Sequence, residues 1–495
     1  MIARFTFASL AMGAVIGACG SGDGVYELDI DEDGSESAWG LTEASGLAIT
    51  QVAMYQGVKA VLMENGAPGA GSVQIIAGRD ALMRVFIAAD PNFNNEPIVG
   101  RLYIDGVKDP IEVKGPAPVL PVESDLLSTL NFQIPGALIT PTFSYRVELL
   151  QPRGQSKGTN PAARYPAQAT APVGVTNVGT QLRITIVPFR YNGDGSGRLP
   201  DTSEATIQGY KDYFYGMYPT PLVEITVREP VDYSGDVSPN GFGWDKILGY
   251  LGQVRSQDQA PFDVYYYGIF APANSIGQFC GGGCVAGLGN IGGPGDAYSR
   301  AAVGLGFEND SVASWETAVH EIGHTHGRFH SPCGGAQGTD PGYPYSGGKI
   351  GVWGYSLPKQ QLFAPEAKDV MGYCYPIWIS DFTYNALADR VKAVNELTMM
   401  RKITPPEKLN LTYERATIDG EGNLEFLPSL PLEMPPEANP MVVQIKTDDE
   451  DQQAEAHFYP YDHLPGGVIL WPQAKKPSMS VAFEWNGQVK TFVRQ

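Results

Sequence analysis

The 495-residue chain reads as a multidomain protein, with an α/β unit built on a mixed twisted sheet and an all-β segment on either side. Three observations predict this. Apolar residues alternate with period two over residues 51–178, strand and helix spacings alternate over 179–402, and hairpin signals return over 403–495. At about 150 residues per domain, the length also suggests roughly three domains.

The first 19 residues read as an export signal. One positive charge precedes an apolar run over 5–18, too short to span a bilayer as a mature helix. The run ends in Gly17-Ala18-Cys19, which resembles the lipobox of bacterial lipoproteins. That resemblance implies acylation of Cys19, a lipid anchor, and an outer-membrane or cell-surface location. Residues 20–50 carry Asp and Glu among Gly and Ser with no base, and read as an extended tether.

Residues 51–178 read as a β-sandwich. Leu82, Arg84 and Phe86 share one face of a strand while Met83, Val85 and Ile87 share the other. Leu102 and Ile104 lead into the turn Asp105-Gly106, and Phe143, Tyr145, Val147 and Leu149 repeat the alternation. From 179 the pattern changes. Leu182, Ile184 and Ile186 mark a strand, and Ile207, Tyr210, Phe214 and Met217 a helix behind the capping cluster Asp201-Thr202-Ser203. Further strands are expected over 222–227 and 264–270, with helices over 244–254 and 381–394. Over 403–495, Asp419-Gly420 and Asn486-Gly487 mark hairpins of a small β domain.

A net charge of −20 argues against a nucleic-acid partner, because phosphate binding needs clustered Lys and Arg. The chemistry concentrates elsewhere. Of six histidines, four fall in His320-Glu321-Ile322-Gly323-His324-Thr325-His326-Gly327-Arg328-Phe329-His330. On a helix, His320 and His324 lie one turn apart and can reach one cation. Val312, Trp315, Val319 and Ile322 supply the apolar stripe of that helix. Gly327 ends it, and the turn brings His330 back as third ligand. Three neutral imidazoles on one Zn²⁺ leave a position open for water, which Glu321 can address without ligating the metal. His326 projects to the other side and reads as a satisfied or exposed histidine. A closed structural site would need a fourth protein ligand, for which Tyr373 is the nearby candidate. Calcium sites cannot be derived from these residues.

The pattern HExxHxxGxxH at 320–330, with Asp369-Val370-Met371-Gly372-Tyr373 downstream, resembles the metzincin clan of zinc metallopeptidases. The resemblance implies a metzincin-like fold over 179–402, an apolar floor at Met371 under the metal, and hydrolysis of protein or peptide bonds with Glu321 as general base and acid. It also implies a switching or oxyanion-donating Tyr373, and an extended substrate paired with an edge strand near 301–305. Ser331 resembles matrixins and the Met-x-Tyr at 371–373 resembles astacins and serralysins, so no single branch is assigned. Because both motifs must then converge on one metal, Cys333 and Cys374 should pair, and Cys280 should pair with Cys284. A rival reading is a surface adhesion or glycan-binding lipoprotein whose protease-like domain is a scaffold. The cleavage preference, a glycoprotein substrate and the oligomeric state are open at this stage.

Overall fold

A computed structural model describes residues 40–91, 93, 96–152, 161–308, 311–403, 411–432 and 435–494. Cys19 and residues 1–39, which include the expected signal and most of the tether, lie outside the described residues. Among those described, strands outweigh helices, and no helix is long and apolar enough to cross a membrane.

Two antiparallel sheets form the N-terminal sandwich. One runs in the order Leu41–Glu43, Ser144–Pro152, Pro97–Ile104, Ile111–Pro116. The other runs Gln361–Phe363, Gly354–Ser356, Gly57–Glu64, Leu47–Tyr55, Ala81–Ala89, Leu130–Ile134. Met83, Val85 and Phe132 of one sheet and Leu102, Tyr145 and Val147 of the other share one core. Two expectations are corrected here. The strands begin at Leu41, inside the segment read as tether, because Ala44, Leu47 and Ile49 are buried in this core and outweigh the acidic residues around them. In addition, Gly354–Ser356 and Gln361–Phe363 leave the α/β segment and extend the sandwich sheet by pairing with Gly57–Glu64.

The middle segment has a five-strand path: Val223–Val227, Leu182–Tyr191, Val264–Phe270, Ala301–Leu305, Gly287–Gly289. All pairs along it are parallel except the last, so Gly287–Gly289 is an antiparallel edge. Helix α1 (Glu204–Met217) starts at the Ser203 cap, whose hydroxyl accepts from the Thr206 amide. Helices α2 (Trp244–Gln257), α3 (Ile276–Cys280), α4 (Ser311–Thr325) and α5 (Asp381–Ile403) follow. Ala318, Val319 and Ile322 of α4 pack with Tyr265, Tyr267 and Ala302 of the sheet, whereas Val312, expected in that stripe, is exposed.

The C-terminal segment is one seven-stranded antiparallel sheet. Its Tyr413, Leu430, Tyr459 and Leu470 share a core with Trp244, Ile247 and Leu251 of α2. The sheet therefore docks on the α/β segment.

The sandwich is fastened to the α/β segment by a buried cation. Arg79 is fully buried and donates to the carbonyls of Gln56 (3.1 Å), Thr220 (2.9 Å) and Tyr215. Trp378 adds an indole bond to the Gly57 carbonyl at 2.7 Å. Replacing Arg79 by Leu orphans several buried acceptors. We expect Arg79→Leu to lower unfolding free energy by about 3 kcal/mol in denaturant titration; an unchanged midpoint would contradict this fastening role.

Candidate metal centre

Three local structures position the three motif histidines. His320 and His324 stand one turn apart on α4, and the helix stops at Gly327, whose φ of 78° suits a residue without Cβ. The chain then returns through His330, which forms a parallel bridge with Thr339. Each ring is oriented by a backbone carbonyl at Nδ1: His320 by Val370 (2.6 Å), His324 by Arg328 (2.7 Å) and His330 by Gln337 (2.5 Å). A carbonyl can only accept, so each Nδ1 carries the proton and each Nε2 presents a lone pair.

Those lone pairs converge. The Nε2 atoms of His320 and His324 face each other at 3.0 Å. With both protons on Nδ1 the contact is acceptor against acceptor, which is repulsive unless a cation lies between them. Burial, followed by the neighbouring imidazoles, holds His320 and His324 well below the ordinary histidine range, and burial lowers His330 to about 4. The rings are therefore neutral and ready to ligate, as a divalent metal requires. Carbonyl-anchored, neutral, inward-facing imidazoles fit a metal ion, and softness favours zinc, copper, nickel or iron over calcium or magnesium.

The turn at 369–373 lies against this cluster. Its Val370 carbonyl is the His320 anchor, and the Asp369 carboxylate accepts the Met371 amide at 2.8 Å. Met371 is buried and its sulfur packs against Gly323, between the two helical ligands. The Tyr373 hydroxyl is 3.0 Å from His330 Nε2. The Cys333–Cys374 disulfide joins the segment after His330 to the segment after this turn, and Cys280–Cys284 closes the loop before the edge strand. Both pairings are as expected from the sequence.

Glu321 is buried, and Gly287 of the edge strand makes room for it: a Cβ there would lie 2.3 Å from Oε1. Burial pushes its carboxyl up to about 8. The edge strand itself is a correction. Residues 301–305 are paired on both sides, and the strand beside the cleft is Gly287–Gly289. That cleft, of about 400 Å³, is lined by Gly287, His320, Glu321, Tyr373 and Tyr375 among others.

His326 is no ligand. It is buried, stacks on Tyr265 at 4.3 Å between centroids, and bonds the Ile322 carbonyl at 2.7 Å.

Two residues of the centre were missed. His463 and Asp462 arrive from the loop between strands Asp451–Pro460 and Gly466–Pro472. Ring nitrogens of His320, His324, His330 and His463 lie within 4.8 Å of one another, which could hold a metal ion with four imidazoles. Tyr373 is thus not the sole candidate for a fourth ligand. His463 Nε2 is 2.9 Å from Glu321 Oε1, and its Nδ1 bonds the Tyr373 hydroxyl. Asp462 sits within 4.8 Å of Glu321, His324 and His463, its carboxyl held well above the usual range by burial and by Glu321. Neither residue has a local sequence signal, being a single Asp-His pair in a hairpin loop.

No protein-family model matches the chain, and a search of curated proteins finds no match.

The tight Gly323–Met371 contact is testable. A Cβ on Gly323 would meet the Met371 sulfur at 2.5 Å. Gly323→Ala should overpack the site and cost about 1–3 kcal/mol in chemical denaturation, with weaker metal retention on dialysis; full stability with undiminished metal content would show that the sulfur is free to move.

Proposed function

We propose that the chain is an exported, lipid-anchored zinc-dependent endopeptidase that hydrolyses peptide bonds in proteins or peptides. The convergence of three neutral imidazoles beside a buried carboxyl carries this reading. It is supported by the resemblance of residues 320–330 and 369–373 to the metzincin clan, and the two disulfides suit an oxidising compartment. The Cys19 anchor rests on the lipobox resemblance, and mass spectrometry of the mature N-terminus tests it.

His320, His324 and His330 would hold the ion. When bound, zinc supplies Lewis acidity to a water and to the scissile carbonyl. Glu321, adjacent to His320 and facing the same space, takes the proton of the attacking water and passes it to the leaving amine. Its burial suits both halves of that task, since a raised carboxyl both accepts and returns a proton near neutral pH. The Tyr373 hydroxyl stands beside His330 as a donor for the developing oxyanion. Gly287–Gly289, the antiparallel edge strand of the sheet, is the strand that would pair with an extended substrate by β-augmentation.

The four-imidazole arrangement favours a second reading, a closed structural site. Glu321 weighs against it, because one hydrogen bond to His463 is a small return for the free energy that burying a carboxyl costs.

Glu321→Gln should retain metal and fold while hydrolysis of a peptide library falls by about 10²–10⁴-fold. Tyr373→Phe should lower kcat by about 10–10³-fold with little change in KM. Near-normal turnover in Glu321→Gln would remove the peptidase mechanism; unaltered kcat in Tyr373→Phe would reduce that tyrosine to a wall of the cleft.

A further inference from the structure

The loop at 461–465 occupies the cleft more completely than a chance contact between domains. Tyr461 forms an antiparallel bridge with Asn290, directly after the edge strand Gly287–Gly289. The Gly289 amide, which would otherwise face an incoming strand, donates to both oxygens of Asp462 at 3.1 Å. His463 then lies over the cluster, its ring centroid 5.2 Å from His320, 5.5 Å from His324 and 4.9 Å from His330. Its two nitrogens reach Glu321 and the Tyr373 hydroxyl. Leu464 anchors the far side against Gly241. Two consecutive side chains thus engage the edge amide, the open face of the cluster, the carboxyl and the tyrosine.

We propose that this loop is an internal occupant of the cleft: His463 is the fourth ligand of the metal, one of its nitrogens exchanging its hydrogen bond to Glu321 or Tyr373 for the metal bond while the other is kept, Asp462 takes the edge-strand amide, and the chain as folded is latent until the C-terminal sheet releases the loop. The latency rests on the peptidase reading; the ligation does not. Two features favour an occupant over a catalytic partner. A fourth imidazole fills the position that a catalytic site leaves to water. The Asp462 side chain is fully buried against the amide and the carboxyl that substrate and water would need. The loop is the turn between strands Asp451–Pro460 and Gly466–Pro472 of a sheet that packs on α2, so its withdrawal requires that sheet to shift or be cleaved.

The test uses the full chain, wild type, His463→Ala and His463→Asn, with circular dichroism to establish that each is folded. Each is loaded with cobalt(II), its visible absorption recorded, and its zinc affinity measured against a competing chelator. Hydrolysis of a mixed peptide library is followed in parallel. Loss of one imidazole should shift and weaken the cobalt bands and loosen zinc. The kcat/KM should rise about tenfold or more, as expected when the open cleft exists in a tenth or less of wild-type molecules. Cobalt spectra that superimpose on the wild type would overturn the ligation, and measurable hydrolysis that is equal or lower in both variants would overturn the latency. A shifted spectrum with no hydrolysis by any of the three proteins would uphold the fourth ligand and count against the peptidase reading instead.

Discussion

The centre of this molecule depends on one electrostatic constraint: two imidazole lone pairs held 3.0 Å apart by backbone carbonyls that leave neither ring free to turn away. Neutral nitrogens facing each other at that distance repel, and rotation of either ring would break a buried hydrogen bond. A bound cation converts the repulsion into two ligand bonds. The surroundings follow from this requirement. α4 sets the spacing of His320 and His324, the left-handed Gly327 returns the chain toward His330, and the turn at 369–373 supplies both the His320 anchor and the sulfur beneath Gly323.

Rigidity at such a site has to come from outside it, since ligand loops hold geometry poorly unless neighbouring elements lock them. Three devices do so here. The Cys333–Cys374 bridge couples the His330 segment to the Met371 segment. Asp369 fixes its own turn through the Met371 amide and holds Ser380 just before α5. Trp378, stacked on Phe363, bonds the Gly57 carbonyl and so ties the end of this region to the N-terminal sandwich. Among the described residues no group that could hold a metal lies in the sandwich, yet through Trp378, Arg79 and the strand Gly354–Ser356 it braces the metal centre.

Much of this was legible in the sequence where the signal is local. His320, Glu321, His324 and His330 follow from helical spacing and a glycine stop; Val264–Phe270 and the Asn486-Gly487 hairpin follow from short-range patterning. The Cys333–Cys374 pairing was accessible because two motifs had to meet at one ion. Illegible parts depend on contacts distant in the chain. His463 lies 142 residues from Glu321, and its only mark is an aspartate beside it. The recruitment of Gly354–Ser356 into the sandwich sheet is a pairing with Gly57–Glu64, which no composition announces. Antiparallel reversal at Gly287–Gly289 was hidden for a different reason: a Gly-rich strand has no side-chain alternation to read.

The most direct test of the account is the zinc K-edge X-ray absorption spectrum of the full chain purified with its metal. If zinc is the ion, as proposed, this centre should give one zinc per chain and a first shell of nitrogen at about 2.0–2.1 Å, with outer-shell scattering that requires four imidazoles. Sulfur in the first shell, or a chain that keeps its fold but takes up no stoichiometric metal, would contradict it.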